Sequence, residues 1–414
     1  MRFAPLFSGQ LYYGLLVPFL PSEGRSRGVS IHLVGFIIAC HAVGLILCSF
    51  VAPQMLRYVG ALVMLRAVLL FMATASLCAS MTGMLSGALF ASLLGLCRLV
   101  MGAAVSIVEV CVQSILFQCM PAHHAPTVMS VLLFVRSAGL LLGPLVGGLL
   151  YPISIGHGFS LALLAPSIVF LFVYIALFSI GAYSKNIRPS IKTASVTQVL
   201  TVCKMWPGLI GTPLAGFFLP LMLEPLYEPV FRAPPYGFTV RMVGVVASMP
   251  AAGMMVGQAV GMVGLLLFMR PSIQQACGAA LLIFGSVVLG WATETGIAIA
   301  GLLMIGSGFG ICLSAQPAMS LRILWRDAGL TKNDVGGALS ATSTMFEQIS
   351  TLVAPTIGPY VEDGFGFQWL CYGWAIFYFL LFAICWFLLL PYGLDDSRSP
   401  SMKGEPPPGA GKQS

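Results

Sequence analysis

The chain has 414 residues, 58% of them hydrophobic and only 8% charged, where an ordinary soluble domain carries roughly 25% charged residues. A soluble fold cannot cover that much apolar surface, so composition excludes a soluble enzyme and implies a multi-pass membrane protein embedded in a lipid bilayer. The net charge of +7 implies no nucleic-acid partner, because the basic residues are spread between apolar runs and read as topology signals.

Apolar runs predict twelve spans, at 3–20, 31–52, 62–82, 85–118, 126–150, 158–182, 206–229, 240–264, 273–292, 296–320, 335–358 and 368–390. Most are close to the about 20 residues a transmembrane helix needs. No small-residue cleavage site follows the first run, and Pro18 and Pro21 close it, so it reads as a membrane helix with almost no leader. Span two carries His41, titratable near neutral pH, although a lone helical histidine is usually a packing residue. Arg98 falls near mid-bilayer in span four, at about 1.5 Å per residue. Glu109 lies near the cytoplasmic end of that span and reads as a snorkelling or gate residue.

Span five, from Ser130 to Tyr151, repeats Gly139, Gly143 and Gly147 on one helical face. Such spacing lets helices approach closely in lipid, and Pro144 removes a backbone bond within that face. Arg136 lies deep in the same span without a sequence-level account. The longest polar gap, Tyr183 to Lys204, separates six spans from six. Span seven contains Leu223-Glu224-Pro225-Leu226-Tyr227-Glu228-Pro229. A desolvated carboxylate at Glu224 can accept a proton, pair with a cationic substrate, or brace a kinked helix. Glu228, one turn further, is expected at the interface. Glu347, midway along span eleven, is a second deep carboxylate for which transport and simple pairing both stand open.

Beyond Pro391 the mixed charge and Pro-Pro-Pro run predict a disordered tail. With both termini in the cytoplasm, that side holds twelve basic residues (among them Arg57, Lys185, Lys204 and Arg270), against Arg25, Arg27, Arg232 and Arg241 opposite. This asymmetry follows the positive-inside rule. The halves also repeat: Pro144 answers Pro355, and Pro18 answers Pro229, both at an offset of 211 residues. The expected organisation is a six-helix bundle over 1–182, a cytoplasmic linker over 183–204, a second bundle over 205–390 and a tail over 391–414.

The eleven cysteines form no CxxC pair, and no Gly-x-x-x-x-Gly-Lys-Ser/Thr nucleotide loop is present. The sequence therefore points to no cofactor, no metal and no primary pump, and no nucleophile–base set suggests an enzyme.

Together, Ser130, Gly139 and Gly143-Pro144-x-x-Gly147-Gly148 resemble the fifth-helix antiporter motif of the major facilitator superfamily. Arg98-Leu-Val-Met-Gly102 resembles that family's fourth-helix motif, whose arginine is implicated in proton coupling. Val17-Pro18-Phe19-Leu20-Pro21, Ala39-Cys40-His41-Ala42-Val43 and Leu223-Glu224-Pro225 are similar to the vesicular amine transporters. Pro18 to Glu23 followed by Arg27-Gly28-Val29-Ser30 looks most like the polyamine branch. The resemblance implies an all-α fold of twelve helices in two six-helix bundles, with the substrate site between the halves.

It further implies proton-coupled antiport of a small organic cation, with Arg98 and Glu224 as leading coupling and substrate residues and His41 and Glu347 as secondary ones. The membrane would be vesicular, endomembrane or plasma. The departures are specific. The family's helix-one acid would fall near Gly9, its helix-ten acid near Cys312 and its helix-eleven acid near Thr344, and none of these is acidic. The loop between spans two and three keeps only Arg57 and Gly60 of its usual charge motif. Arg98 and Arg136 against Glu224 and Glu347 make the deep charge neutral, or positive with His41 protonated, which leaves open an organic anion or another drug-like solute. The eroded loop leaves open a non-transporting receptor or scaffold.

Overall fold

A computed structural model describes residues 4–119, 125–153, 158–181, 196–266, 269–328 and 332–393. Most of the expected linker and all but the first residues of the expected tail lie outside them. Among the described residues there is no strand, and the helices group into twelve long segments. We number them α1 (4–26), α2 (Ile31–Val59), α3 (Ala61–Met81), α4 (Gly87–Cys119), α5 (Ala125–Leu150) and α6 (Gly158–Gly181). After a short helix at Val196–Leu200 come α7 (Cys203–Arg232), α8 (Val240–Leu266), α9 (Pro271–Trp291), α10 (Thr295–Ala328), α11 (Lys332–Phe365) and α12 (Phe367–Gly393).

Every expected span is helical. Ten of the twelve are long and apolar enough to cross a membrane; α1 and α11 are the two outside that set. The α1 helix is interrupted by a 3-10 turn at Val17–Phe19 with Pro18 inside it. In α11 the residues Thr342, Thr344, Glu347, Gln348, Ser350 and Thr351 are all buried in protein. Its polarity therefore faces neighbouring helices, where lipid imposes no penalty. Local signals fix the ends. The Ser30 hydroxyl accepts the Leu33 amide at the start of α2, and Gly60 at φ +86° turns α2 directly into α3.

Each half has its own apolar core, one built around Tyr12, Leu69, Phe90 and Phe170, the other around Leu219, Phe231, Phe309 and Tyr378. Large apolar side chains such as Phe71, Phe172, Trp291 and Phe387 point outward, as expected for a lipid-facing surface.

The halves are packed as copies of one design. A Cβ on Gly44 would lie 1.9 Å from the Leu99 carbonyl oxygen, and one on Gly102 would lie 1.9 Å from that of His41. These contacts cross α2 and α4 at backbone distance. In the second half Gly253 meets the Leu303 carbonyl and Gly306 meets that of Pro250, at 2.3 and 2.0 Å, crossing α8 and α10 in the same way. Between the halves, Gly35 of α2 abuts the Pro355 carbonyl of α11, and Gly244 of α8 abuts that of Pro144 of α5. Each motif proline thus receives a glycine from the opposite half.

The glycine face of α5 divides its contacts. Gly139, Gly143 and Gly147 press on Phe7, Gly14 and Leu15 of α1 within the same half, while Gly148 faces Arg241 and Gly244 of α8. Only the Gly148 and Pro144 side of the motif touches the other bundle. Small residues are needed here because a side chain would separate the backbones.

Candidate functional site

Six helices, α1, α2, α4, α5, α7 and α11, bring the deep polar groups together. In α7 the proline run breaks regular hydrogen bonding: a π turn spans Ile210–Leu214 around Pro213, and a 3-10 turn spans Glu224–Leu226 with Pro225 inside it. Glu224 opens that second turn. The Tyr13 hydroxyl of α1 donates to Glu224 Oε2 at 2.7 Å. The Arg98 guanidinium of α4 lies over the face of the same Tyr13 ring, 5.0 Å from its centroid, as a cation–π contact requires. His41 of α2 packs its ring against Tyr13 at 5.0 Å. Tyr13 is thus the hub joining Arg98, His41 and Glu224.

The second part of the cluster lies around Arg136 of α5. Its guanidinium grips Glu347 of α11 through both carboxylate oxygens, with Nη1 to Oε2 at 2.8 Å and Nη2 to Oε1 closer still. This is the bidentate geometry that suits arginine to carboxylates. Arg136 Nε also lies 3.8 Å from Glu109 Oε1. Glu109 in turn accepts from the Thr344 hydroxyl at 3.0 Å and from Gln10 Nε2 at 3.5 Å. Glu109, Glu347 and Arg136 are all buried. Along α4, Glu109 lies three helical turns beyond Arg98, on the same face and about 16 Å away.

Three sequence readings change. Glu109 does not snorkel at a helix end; it is 2% exposed and belongs to the cluster. Glu228 does not reach the interface as an open carboxylate, being 5% exposed and bound to Arg232 at 2.7 Å. Arg136 is accounted for by Glu347. With Glu109 included, three carboxylates face two guanidinium groups, so the fully ionised cluster carries an excess negative charge when His41 is neutral. At Thr344, where the resemblance places an acid, the hydroxyl holds the Glu109 carboxylate supplied by α4 instead.

The four expected residues Arg98, Glu224, Glu347 and His41 all fall in this cluster. Sequence reasoning missed Tyr13 and Gln10; it named Glu109 only as a snorkelling or gate residue and Thr344 only as the position of an absent acid. One signal could have found part of it: Tyr13 and Glu224 are 211 residues apart, and so are Arg136 and Glu347. That is the offset already given by Pro144 and Pro355. Residues related by a twofold repeat touch each other only on its axis, so both bonds mark the pseudo-twofold axis between the halves. The other polar members break the symmetry. His41 corresponds to Pro250 in the matched α2–α4 and α8–α10 crossings.

The Glu23-Arg27 stretch, which carried the polyamine-branch resemblance, forms a separate clamp. Glu23 accepts from Arg27 Nε at 2.7 Å and from the Tyr151 hydroxyl at 2.8 Å, while Arg27 lies over Phe90. It ties α1 to α4 and to the turn that follows α5. Across the halves, His32 of α2 stacks on Tyr360 of α11 at 4.1 Å and lies 3.5 Å from Asp363.

A family model described as Major Facilitator Superfamily matches residues 6–328. The mouse protein MFS-type transporter SLC18B1 is 29% identical over 200 residues, covering 48% of this chain and 42% of the mouse protein. The matched stretch therefore takes in less than half the length of that relative. Among solved structures, a bacterial homologue of the human lysosomal transporter Spinster superposes with TM-score 0.72 at 10% identity, covering 97% of this chain and 98% of that one. The human organic anion transporter MFSD10 gives TM-score 0.65 at 18% identity, covering 94% and 97%. At these identities the structural likeness speaks for the fold.

Proposed function

Because the chain belongs to the major facilitator superfamily, we propose that it is a secondary transporter exchanging protons for a small organic cation, an amine or polyamine, by alternating access. One observation carries the reading. Among the described residues Glu224 is held by a neutral phenol and by no guanidinium, in a cluster with excess negative charge. A substrate ammonium or a proton can replace the Tyr13 hydroxyl there without first breaking an ion pair.

Glu347, by contrast, is fully engaged by Arg136, and Glu109 is shared among Arg136, Thr344 and Gln10. We assign Glu224 as the exchanging acid, Glu109 and Glu347 as the second negative end for an extended amine, and Arg98 and His41 as the groups acting on Glu224 through the Tyr13 ring. The similarity to SLC18B1, named as a transporter, supports a transport role. The charge count that favoured an anionic solute rested on two acids, and Glu109 removes that support. Gly148 and Pro144 against Gly244, with Gly35 against Pro355, form the surfaces over which the bundles rock. In this reading both ends lie in the cytoplasm, a placement the basic-residue asymmetry supports, with the chain in a vesicular, endomembrane or plasma membrane.

The test is uptake of a labelled polyamine into proteoliposomes under an imposed pH gradient. Expected is gradient-driven uptake that Glu224→Gln abolishes while the variant still folds. Unchanged uptake in that variant, or an absence of competition by amines, overturns the assignment.

A further inference from the structure

Arg98 is not held the way a buried guanidinium normally is. Its side chain is completely buried, yet Nε, Nη1 and Nη2 all lack a hydrogen-bond partner among the described residues. Its guanidinium lies against the Tyr13 ring face, which meets the charge but none of the five N–H donors. The surroundings add more donor capacity. Tyr12 and Cys40 lie within electrostatic reach of Arg98, as does His41. The Tyr12 hydroxyl, which can donate, is also buried and unpartnered.

Three helices, α1, α2 and α4, thus meet around a buried guanidinium whose donors are unpaired among the described residues. Water would satisfy those donors but add no charge to replace that of Glu224 once the acid is neutralised. A compact monovalent anion does both. It accepts from several directions, and it neutralises a charge that arginine cannot discard.

We propose that Arg98, with Tyr12, forms a binding site for a small inorganic anion of the chloride class inside the first bundle. The site is distinct from the Glu224 position, although the two are coupled. Arg98 and Glu224 interact electrostatically with Tyr13 between them. When Glu224 is neutralised by a proton or an organic cation, Arg98 loses its nearest compensation and the anion is held more tightly. By reciprocity the anion favours that neutralised state.

The experiment uses the purified full chain in detergent, comparing thermal unfolding in sodium chloride and sodium gluconate at fixed ionic strength. A saturable rise in Tm with chloride is expected. Tyr12→Phe should weaken the apparent chloride Kd by about three- to tenfold, as losing one hydrogen bond predicts, and Glu224→Gln should tighten it. Arg98→Ala should abolish the response. Should that variant fail to fold, bromide in crystals of the unaltered chain gives an independent reading through an anomalous peak beside Arg98. Equal Tm in chloride and gluconate, a chloride response surviving in Arg98→Ala, or bromide bound only elsewhere overturns the site. None of these readouts needs transport, so the anion site can fail while the amine reading stands, and the reverse.

Discussion

The Arg136–Glu347 pair offers the sharpest energetic test, because its two members respond differently to loss of the other. Their side chains are 10% and 6% exposed, and removing one partner of such a buried pair typically costs about 3–5 kcal/mol. Glu347→Gln leaves Arg136 with only Glu109, whose nearest oxygen lies 3.8 Å from Nε. That residual partner places the expected loss at about 3 kcal/mol, the lower end of the range. Arg136→Met instead strands two buried carboxylates, Glu109 and Glu347, and should cost about 5 kcal/mol, the upper end of the range. Equilibrium unfolding in mixed micelles measures both. A loss below about 1 kcal/mol in Glu347→Gln, or a smaller loss in Arg136→Met than in Glu347→Gln, would refute the reasoning.

Tyr13→Phe removes the hydrogen bond to Glu224 but keeps the ring under Arg98. Polar bonds between membrane helices average about 0.6 kcal/mol, so stability should barely move while the pH dependence of uptake shifts; an unchanged profile would exclude Tyr13 as the hub. Gly44→Ala places a methyl group 1.9 Å from a carbonyl oxygen and should cost about 1–3 kcal/mol or more by overpacking. Gly364→Ala, which meets no atom within 4 Å, should stay within about 0.5 kcal/mol of the original, and thermal melts compare the two. Cysteines replacing His32 and Tyr360, whose rings stack at 4.1 Å across the halves, should cross-link under mild oxidation and arrest uptake. Continued transport with the cross-link intact would show that these helices need not separate.

Much of the architecture is legible in the sequence because membrane spans declare themselves by length and hydropathy. All twelve expected spans are helical, and the glycine spacing in α5 correctly signals backbone-distance packing. What the spacing does not reveal is the partner: three of those glycines meet α1, and only Gly148 with Pro144 reaches the other bundle. The deep residues were individually visible as costly charges, but their grouping depends on helix rotation and depth. Glu109 shows the limit. Its span was drawn to nearly the observed length, but nothing in the sequence shows that Thr344 of α11 and Arg136 of α5 close over Glu109 and bury it. Tyr13 was invisible for a different reason, since a tyrosine in an apolar span is unremarkable until its hydroxyl is seen to meet Glu224.

The two bonds on the pseudo-twofold axis bear on how such a chain could arise. In a dimer of identical six-helix proteins, a residue on the axis confronts its own copy. An arginine there would face an arginine and a glutamate a glutamate, and either arrangement buries like charges against each other. An Arg–Glu pair at that point is open only to halves that have ceased to be identical. Joining the halves in one chain, and letting position 136 diverge from position 347, turns the least favourable place for a charge into the seat of an ion pair. The same freedom sets Tyr13 opposite Glu224, so this carboxylate can exist singly on an axis where symmetry would have demanded two.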